Sequence, residues 1–473
     1  MLWTALHFPD LPLSVFARAG TGRVAAVVSS VSHRPDVVAA NDAAKRRGIV
    51  AGLSIAAALA LDPEITIHLR DERAEAAALK SIALWAGQWT STISIELPAG
   101  VLLEISSCLN YFGGLHNLLA RIDAGLAELG FCGAVATAPT PLAASMLARA
   151  RQAIAVEHAV DLEARLMALP VALLDSARPV LDTLTGVGVR TIGDLLALPR
   201  DGVARRFGQR LLDEIDRARG VQPDPRPLFV APEHYHGQLE LPLPVAEAEA
   251  LLFAAKRLVV ELAGFLQGRG AGVTRLRCDL IHEDAAPTAI VLGLAATRRI
   301  EHIVNVLRER LAREELPDRV EAIRLVSEEI APLPGQDGEL FAGANRHGES
   351  SAQWIERVRA RLGDDAVREP CLHADHRPEH AWRYRGAAPA AAARLPADAP
   401  PRPLWLLPWP RPLGADPASA ELTLLSGPER IESGWWDGAE IGRDYFVGSD
   451  AQGARLWLYR DRGGEWFVHG VFA

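Results

Sequence analysis

Four side chains in the C-terminal quarter of the chain could bind a metal ion, because cysteine and histidine are the usual ligands of zinc. They follow the spacing Cys371-x-His373-x-x-His376-x-x-x-His380. On one helix, His376 and His380 would share a face, but Pro378 interrupts such a helix. Arg377 and Glu379 instead favour an ion-paired turn. The sequence therefore predicts no metal site and no cofactor. A metal-dependent protein stays an alternative that stoichiometric zinc would revive.

A second group of residues could contact phosphate. Residues 184–195 resemble a helix–hairpin–helix, whose glycines permit a tight turn and bring backbone N–H groups close to a DNA phosphate. Arginines on the next helix would add charge-assisted contacts, and two more share one face of a later strand. A purely structural turn is the alternative. The predicted DNA-binding residues are Gly186, Gly188, Arg190, Arg205, Arg206, Arg275 and Arg277.

Composition and charge limit the class of protein. The chain has 473 residues, 49% of them hydrophobic, which suits a multi-domain globular protein. No apolar run is long enough to span a membrane, and no basic region of a secretory signal precedes the first strand. The four cysteines are scattered, as expected in a reducing compartment, so we expect a cytoplasmic protein. A net charge of −9 implies that any DNA contact is local and weak, or that a partner holds the DNA.

The pattern along the chain predicts an α+β protein of several domains. Residues 1–170 alternate short apolar strands with alanine-rich helices, and 171–235 read as short helices around a glycine turn. Residues 236–332 run helix, strand, strand, helix, strand, which resembles part of a ferredoxin-like unit. A polar connector and a Pro/Ala linker fill 333–403, and the tryptophan-rich residues 404–473 predict a small β-rich module.

The N-terminal region resembles the Y-family (translesion) DNA polymerases. Its opening strand, residues 6–12, is similar to a family strand that carries two acidic residues, and Pro9 and Leu11 fall at those positions. Nucleotidyl transfer needs two Mg²⁺ ions bridged by carboxylates. Proline and leucine offer no ligand, so the resemblance implies a polymerase-like fold without polymerase activity.

Three further parts of the implied active site are also altered. In residues 41–49 the family's tyrosine and arginine, which hold the triphosphate, are replaced by Asp42 and Lys45. In residues 94–104 Glu96 takes an aspartate position and Leu97 a glutamate position. Thr140 and Pro141 fall near the family's later Asn-Lys pair. The alternative is an active translesion polymerase with reassigned carboxylates, namely Asp10, Glu96 and Glu104.

The polar connector carries a possible partner-binding peptide. Gln336, Leu340 and Phe341 resemble the bacterial sliding-clamp peptide, in which two apolar side chains enter a preformed pocket and the glutamine bonds at its rim. Asp337 stands where an apolar residue is usual. The runner-up is residues 238–243, which more closely match a strand at the start of a packed domain.

The C-terminal third resembles one particular group within this framework, the ImuB family of catalytically inactive, Y-family-like proteins of bacterial mutasomes. The resemblance lies in residues 376–382, 402–407, 427–431, 434–436 and 443–446, which are rich in tryptophan and arginine. It implies a scaffold of the SOS response rather than an enzyme. The implied partners are DNA, the sliding clamp, the RecA-like protein ImuA and an error-prone C-family DNA polymerase.

Overall fold

The structure is a computed structural model that describes residues 1–16, 25–29, 36–333, 351–363, 366–385 and 401–472. It divides into two compact units, Met1–Arg361 and Leu362–Ala473. The predicted clamp residues Gln336, Leu340 and Phe341 lie outside the described residues, as does most of the predicted Pro/Ala linker.

The first unit begins with two small sheets and the helices that cover them. Its first strands are β1 (Trp3–His7), β2 (Ala25–Val28), β3 (Val37–Ala40), β4 (Thr66–Leu69), β5 (Ile93–Glu96), β6 (Gly100–Glu104) and β7 (Ala134–Ala138). Its first helices are α1 (Leu11–Ser14), α2 (Asp42–Arg46), α3 (Ile55–Leu61), α4 (Glu72–Ala86), α5 (Leu115–Leu129) and α6 (Pro141–Arg149). One sheet is antiparallel with the order β5-β6-β1-β7, and the other has the order β3-β2-β4.

Strand β1 is buried on both faces because each face meets a different hydrophobic cluster. Trp3 and Ala5 belong to the cluster that contains α6, whereas Leu6 belongs to the cluster that contains α4 and α5. This alternation is the ordinary consequence of the two-residue repeat of a strand. It decides which way the side chain at the end of β1 points.

Five helices follow, with two turns of 3₁₀ helix before α8. They are α7 (Ala159–Met167), α8 (Leu181–Gly186), α9 (Ile192–Leu196), α10 (Arg200–Phe207) and α11 (Gln209–Arg219). The predicted hairpin between α8 and α9 is present, and Gly188 has a φ of 88°, a left-handed conformation that favours glycine. Gly193 instead allows α9 to pack closely against the end of α7, since a Cβ there would lie 3.0 Å from the carbonyl oxygen of Met167.

The rest of the first unit is a four-stranded sheet with helices. Its elements are β8 (His236–Val245), α12 (Ala248–Gly268), β9 (Ala271–His282), β10 (Thr288–Thr297), α13 (Ile300–Leu311), β11 (Val320–Pro332) and α14 (Ser351–Leu362). The strand order is β10-β9-β11-β8. The predicted run of helix, strand, strand, helix and strand is confirmed, and residues 238–243 do form a strand.

The second unit is β-rich, as its composition predicts. Its strands are β12 (Glu369–Leu372), β13 (Trp382–Arg385), β14 (Trp405–Pro412), β15 (Thr423–Ser433), β16 (Ile441–Ser449), β17 (Arg455–Asp461) and β18 (Trp466–Val471). The last five form one antiparallel sheet in the order β14-β18-β17-β16-β15. The predicted α+β class is confirmed. None of the described helices is long and apolar enough to cross a membrane.

Candidate functional site

The C-terminal end of β1 places His7 beside the altered active site. His7 pairs with Gly100 of β6 and Ala134 of β7. It lies two residues after Ala5 on the same face of the strand, which is the face that α6 covers. Burial lowers the pKa of the His7 imidazole, and the nearby Arg149 lowers it further, while Glu96 acts in the opposite direction. A neutral imidazole therefore occupies this end of the sheet at neutral pH.

Glu96, the last residue of β5, is held by two side chains from distant parts of the chain. The Ser145 hydroxyl of α6 donates to its Oε2 at 2.5 Å, and the Arg226 Nη1 donates to its Oε1 at 2.9 Å. The Arg226 Nη2 also donates to Asp224 at 2.8 Å. Burial by itself would lower the pKa of Arg226, but Asp224 and Glu96 outweigh it and raise that pKa. A guanidinium thus neutralises the carboxylate that the sequence places in a metal-binding position.

The structure corrects one part of the predicted register. Leu11 is fully buried in the hydrophobic cluster that contains α4 and α5, so it lies in the core and does not face Glu96. Pro9 lies in the turn after β1. His7 is instead the β1 residue close to Glu96. The error arose because the alternation of side chains ends with the strand, and the sequence does not mark where β1 stops.

The remaining candidate carboxylates do not meet Glu96. Asp10 lies 3.4 Å from the Lys45 Nζ, which is also 3.7 Å from Asp42. Glu104 lies opposite Trp3, four residues along β6 from Gly100, which corresponds to about 13 Å in an extended strand. It accepts the backbone N–H of Ser106 at 3.2 Å. The reassigned carboxylates Asp10, Glu96 and Glu104 therefore serve three separate local networks.

The positions predicted to replace triphosphate contacts have structural roles. Thr140 is the N-cap of α6; its hydroxyl accepts the N–H of Ala143 at 3.3 Å and donates to the Ala218 carbonyl at 2.7 Å. Pro141 occupies the first turn of that helix, where its missing N–H costs nothing. Lys45 shares its charge between two carboxylates. Thr140 and Pro141 thus build a helix end, and the charge of Lys45 is already paired.

The helix–hairpin–helix presents an exposed tip, but its amides are already bonded. Val187 is 51% exposed, and a Cβ at Gly186 or Gly188 would meet nothing within 4 Å. The N–H groups of Val187, Gly188 and Val189 all donate to carbonyls of α8. The predicted direct use of these N–H groups on a phosphate is therefore disfavoured, and the positive charge would have to come from side chains.

Four of the five predicted arginines fall into two groups, and the fifth, Arg190, is exposed just before α9. Arg205 and Arg206 are exposed in the last turn of α10, and neither has a carboxylate within 4 Å among the described residues. Arg275 and Arg277 share an exposed strand face, as predicted, but Arg275 lies 2.6 Å from Glu328 and Arg277 lies 2.7 Å from Asp279. The hydrogen bond from Asp279 raises the pKa of Arg277. The α10 arginines are thus the more available for phosphate, although two basic residues also suit the C-terminal end of a helix.

The cysteine and histidine cluster forms an ion-paired turn. The Arg377 Nη2 lies 2.8 Å from Asp375 and 2.6 Å from Asp437. The hydrogen bond from Arg377 holds the pKa of Asp375 at about 2. Pro378 opens a three-residue 3₁₀ helix, so His376 and His380 do not share a longer one. Within the described ranges, no group of three or more His, Cys, Asp or Glu side chains could hold a metal ion.

Three side chains of the Glu96 site were missed from the sequence, namely His7, Ser145 and Arg226. His7 and Ser145 lie in apolar elements where nothing marks a polar role. Arg226 is separated from Glu96 by 130 residues. The only local signal is the alternation Pro223-Asp224-Pro225-Arg226-Pro227, which favours an extended segment with the two charged side chains on one face.

Comparison with known proteins agrees with the resemblance in the sequence. The model of the impB/mucB/samB family matches residues 21–149. Protein ImuB of Caulobacter vibrioides, in strains NA1000 and ATCC 19089, is 27% identical over 457 residues, which covers 90% of this chain and all of that protein. The chain is ImuB-like.

Two solved structures are among those to which the chain is similar. The Dbh DNA polymerase in a post-insertion binary complex is 17% identical and covers 70% of this chain and 99% of its own, with a TM-score of 0.41. DinB from Sulfolobus solfataricus is 17% identical and covers 69% of this chain and 98% of its own, with a TM-score of 0.40.

Proposed function

We propose that this chain is a non-catalytic scaffold of error-prone translesion DNA synthesis. In this role it links the sliding clamp, DNA and an error-prone C-family polymerase during the SOS response, with the RecA-like ImuA as a further partner. The ImuB-like sequence and the match to the impB/mucB/samB family support a role related to translesion synthesis. The scattered cysteines, all four of them free, suit work in the cytoplasm.

The state of Glu96 is the observation that carries the non-catalytic part of the proposal. Two-metal transfer requires carboxylates that hold two cations about 3.5–4 Å apart. Here Glu96 bonds to Arg226 and Ser145, and its neighbour on β1 is an imidazole kept neutral by burial. Asp10 and Glu104, which the alternative of an active polymerase would use, bond elsewhere. One neutralised carboxylate cannot organise two metal ions.

Primer extension tests this directly. The purified chain is incubated with primed template, dNTPs and either Mg²⁺ or Mn²⁺, next to an active Y-family polymerase as the positive control. We expect no incorporation by this chain. Template-directed incorporation that disappears in an Asp10→Ala, Glu96→Ala double variant would refute the proposal and establish the alternative.

The link to the clamp rests on Gln336, Leu340 and Phe341 and is a proposal from sequence alone. An exposed Leu-Phe pair gains free energy only when a partner buries it, by roughly 1.5–3 kcal/mol for each side chain before ordering costs. The strand formed by residues 238–243 is the weaker candidate, because its backbone already pairs with β11 and Leu239 is buried.

A further inference from the structure

The segment between α11 and β8 crosses the altered active site. Residues 224–232 contain three prolines, at 225, 227 and 232, and have no helix or strand of their own. They run from the end of the helical region to the four-stranded sheet. We call residues 224–232 the strap, because contacts to β5 at one end and to Arg269 at the other hold this segment in place.

The N-terminal sheet holds the strap through one ion pair and one backbone bond. The Arg226 guanidinium bonds to Glu96 at 2.9 Å, and its side chain is 17% exposed. Three residues later the Phe229 N–H donates to the Ile93 carbonyl of β5 at 2.7 Å. Phe229 also packs against both the cluster around α12 and the cluster around α4.

Arg269, the residue directly after α12, holds the other end of the strap, and α12 itself docks on α4. The Arg269 Nη2 donates to the Ala231 carbonyl at 3.3 Å. A Cβ at Gly264 would lie 2.7 Å from the Trp85 carbonyl oxygen, and one at Gly268 would lie 2.5 Å from the Gly87 carbonyl oxygen. Only glycine permits such an approach, so the spacing Gly-x-x-x-Gly brings the backbones of α12 and α4 into contact.

We propose that the ion pair between Glu96 and Arg226 holds the strap in place and thereby fixes the β10-β9-β11-β8 sheet against the β5-β6-β1-β7 sheet. We call this ion pair the latch. A guanidinium is a suitable occupant because it is a permanent cation that bonds to carboxylates in a fixed geometry. It takes the place beside Glu96 that a metal ion or a nucleic-acid end would need.

This inference goes beyond the proposed function, since the latch holds whatever partners the chain binds. It predicts that the β5-β6-β1-β7 sheet and the β10-β9-β11-β8 sheet move as one body while the Arg226–Glu96 contact is intact.

Hydrogen exchange read by mass spectrometry on the full chain tests the latch. Arg226→Ala should speed exchange about tenfold in residues 224–232 and 261–270, because a half-buried charged hydrogen bond that restrains local opening is lost. Arg219→Ala is the matched control, since Arg219 pairs with Glu163 at 2.9 Å and is 28% exposed but lies outside the strap. It should leave both segments unchanged.

Glu96→Gln keeps the test decisive if Arg226→Ala loses overall structure, because the amide preserves the volume of the side chain. It should speed exchange in the same two segments, and the double variant should add little to either single change. Unchanged exchange in the Glu96→Gln chain, or additive effects of the two substitutions, would overturn the latch. A Glu96→Gln effect confined to β5 would overturn it equally, because the sheets would then not be coupled through the strap.

Discussion

The salt dependence of DNA binding separates the two groups of predicted arginines. Each phosphate contact contributes about 0.9 to the slope of log affinity against log salt. Arg205 and Arg206 carry exposed guanidiniums without a carboxylate within 4 Å among the described residues. Replacing both by alanine should lower the slope by about 1.8. Between 50 and 200 mM salt, the affinity of this variant for DNA should therefore fall by a factor about twelve times smaller than the affinity of the unchanged chain.

Arg275 and Arg277 should contribute less, because Glu328 and Asp279 lie 2.6 and 2.7 Å away and already neutralise them. Their double alanine variant should lower the slope by less than about 0.9, and Glu328→Gln should raise it by releasing Arg275. The assay is fluorescence anisotropy of a labelled duplex over a salt series, with Arg455→Ala in the second unit as a control. The reasoning fails if replacing Arg275 and Arg277 lowers the slope as much as replacing Arg205 and Arg206 does. It fails equally if replacing all four arginines leaves the slope unchanged.

Three further predictions follow from other parts of the chain. The chain should not bind dNTP at micromolar concentration with Mg²⁺, because Lys45 is paired and Glu96 is neutralised; calorimetry that detects such binding would contradict this. Leu340→Ala with Phe341→Ala should abolish clamp binding, which is otherwise about micromolar, and damage-induced mutagenesis without changing the melting temperature; unchanged affinity by surface plasmon resonance would shift attention to residues 238–243. Burial lowers the pKa of His469 to about 4, so the folded state favours its neutral form. Stability should therefore be complete above about pH 6.5 and fall as the pH drops towards 4, by up to about 3 kcal/mol, and a His469→Gln variant should lose that part of the pH dependence in urea titrations.

The elements of this fold were predictable where the hydrophobic repeat is long. Helix α5, with apolar residues three and four apart, spans the predicted residues 115–129, and β9 contains the predicted strand at 273–281. The exposed alternation of Arg275 and Arg277 also follows from the two-residue repeat. Such patterns persist over several turns or residues, so local sequence suffices to place them.

The candidate site was less predictable because its partners are far apart in the chain. Glu96 was identified, but Arg226, which neutralises it, and Ser145, which donates a hydrogen bond to it, are 130 and 49 residues away. The register of β1 failed for a related reason. His7 lies beside Glu96 because both residues pair with Gly100 of β6. The family pattern laid over residues 6–12 continued past the end of β1. Likewise the hairpin glycines were identified from the sequence. The sequence did not show that the hairpin N–H groups already donate hydrogen bonds to the carbonyls of α8.

The pairing of charges bears on how an acidic chain could work on DNA. The net charge is −9, and Arg226, Arg275 and Arg277 are each bonded to a carboxylate. Of the arginines predicted to bind DNA, Arg190, Arg205 and Arg206 have no carboxylate within 4 Å among the described residues. Three contacts correspond to a slope of only about 2.7, whereas a strong DNA-binding protein reaches about 10. Direct binding should therefore be weak at physiological salt. A weak DNA contact becomes effective when a second contact holds the chain near the duplex, because linked sites raise the effective concentration to the millimolar range. A clamp that encircles DNA would supply that second contact. The negative charge left two alternatives, a weak direct contact or a partner that holds the DNA, and the paired arginines favour the partner.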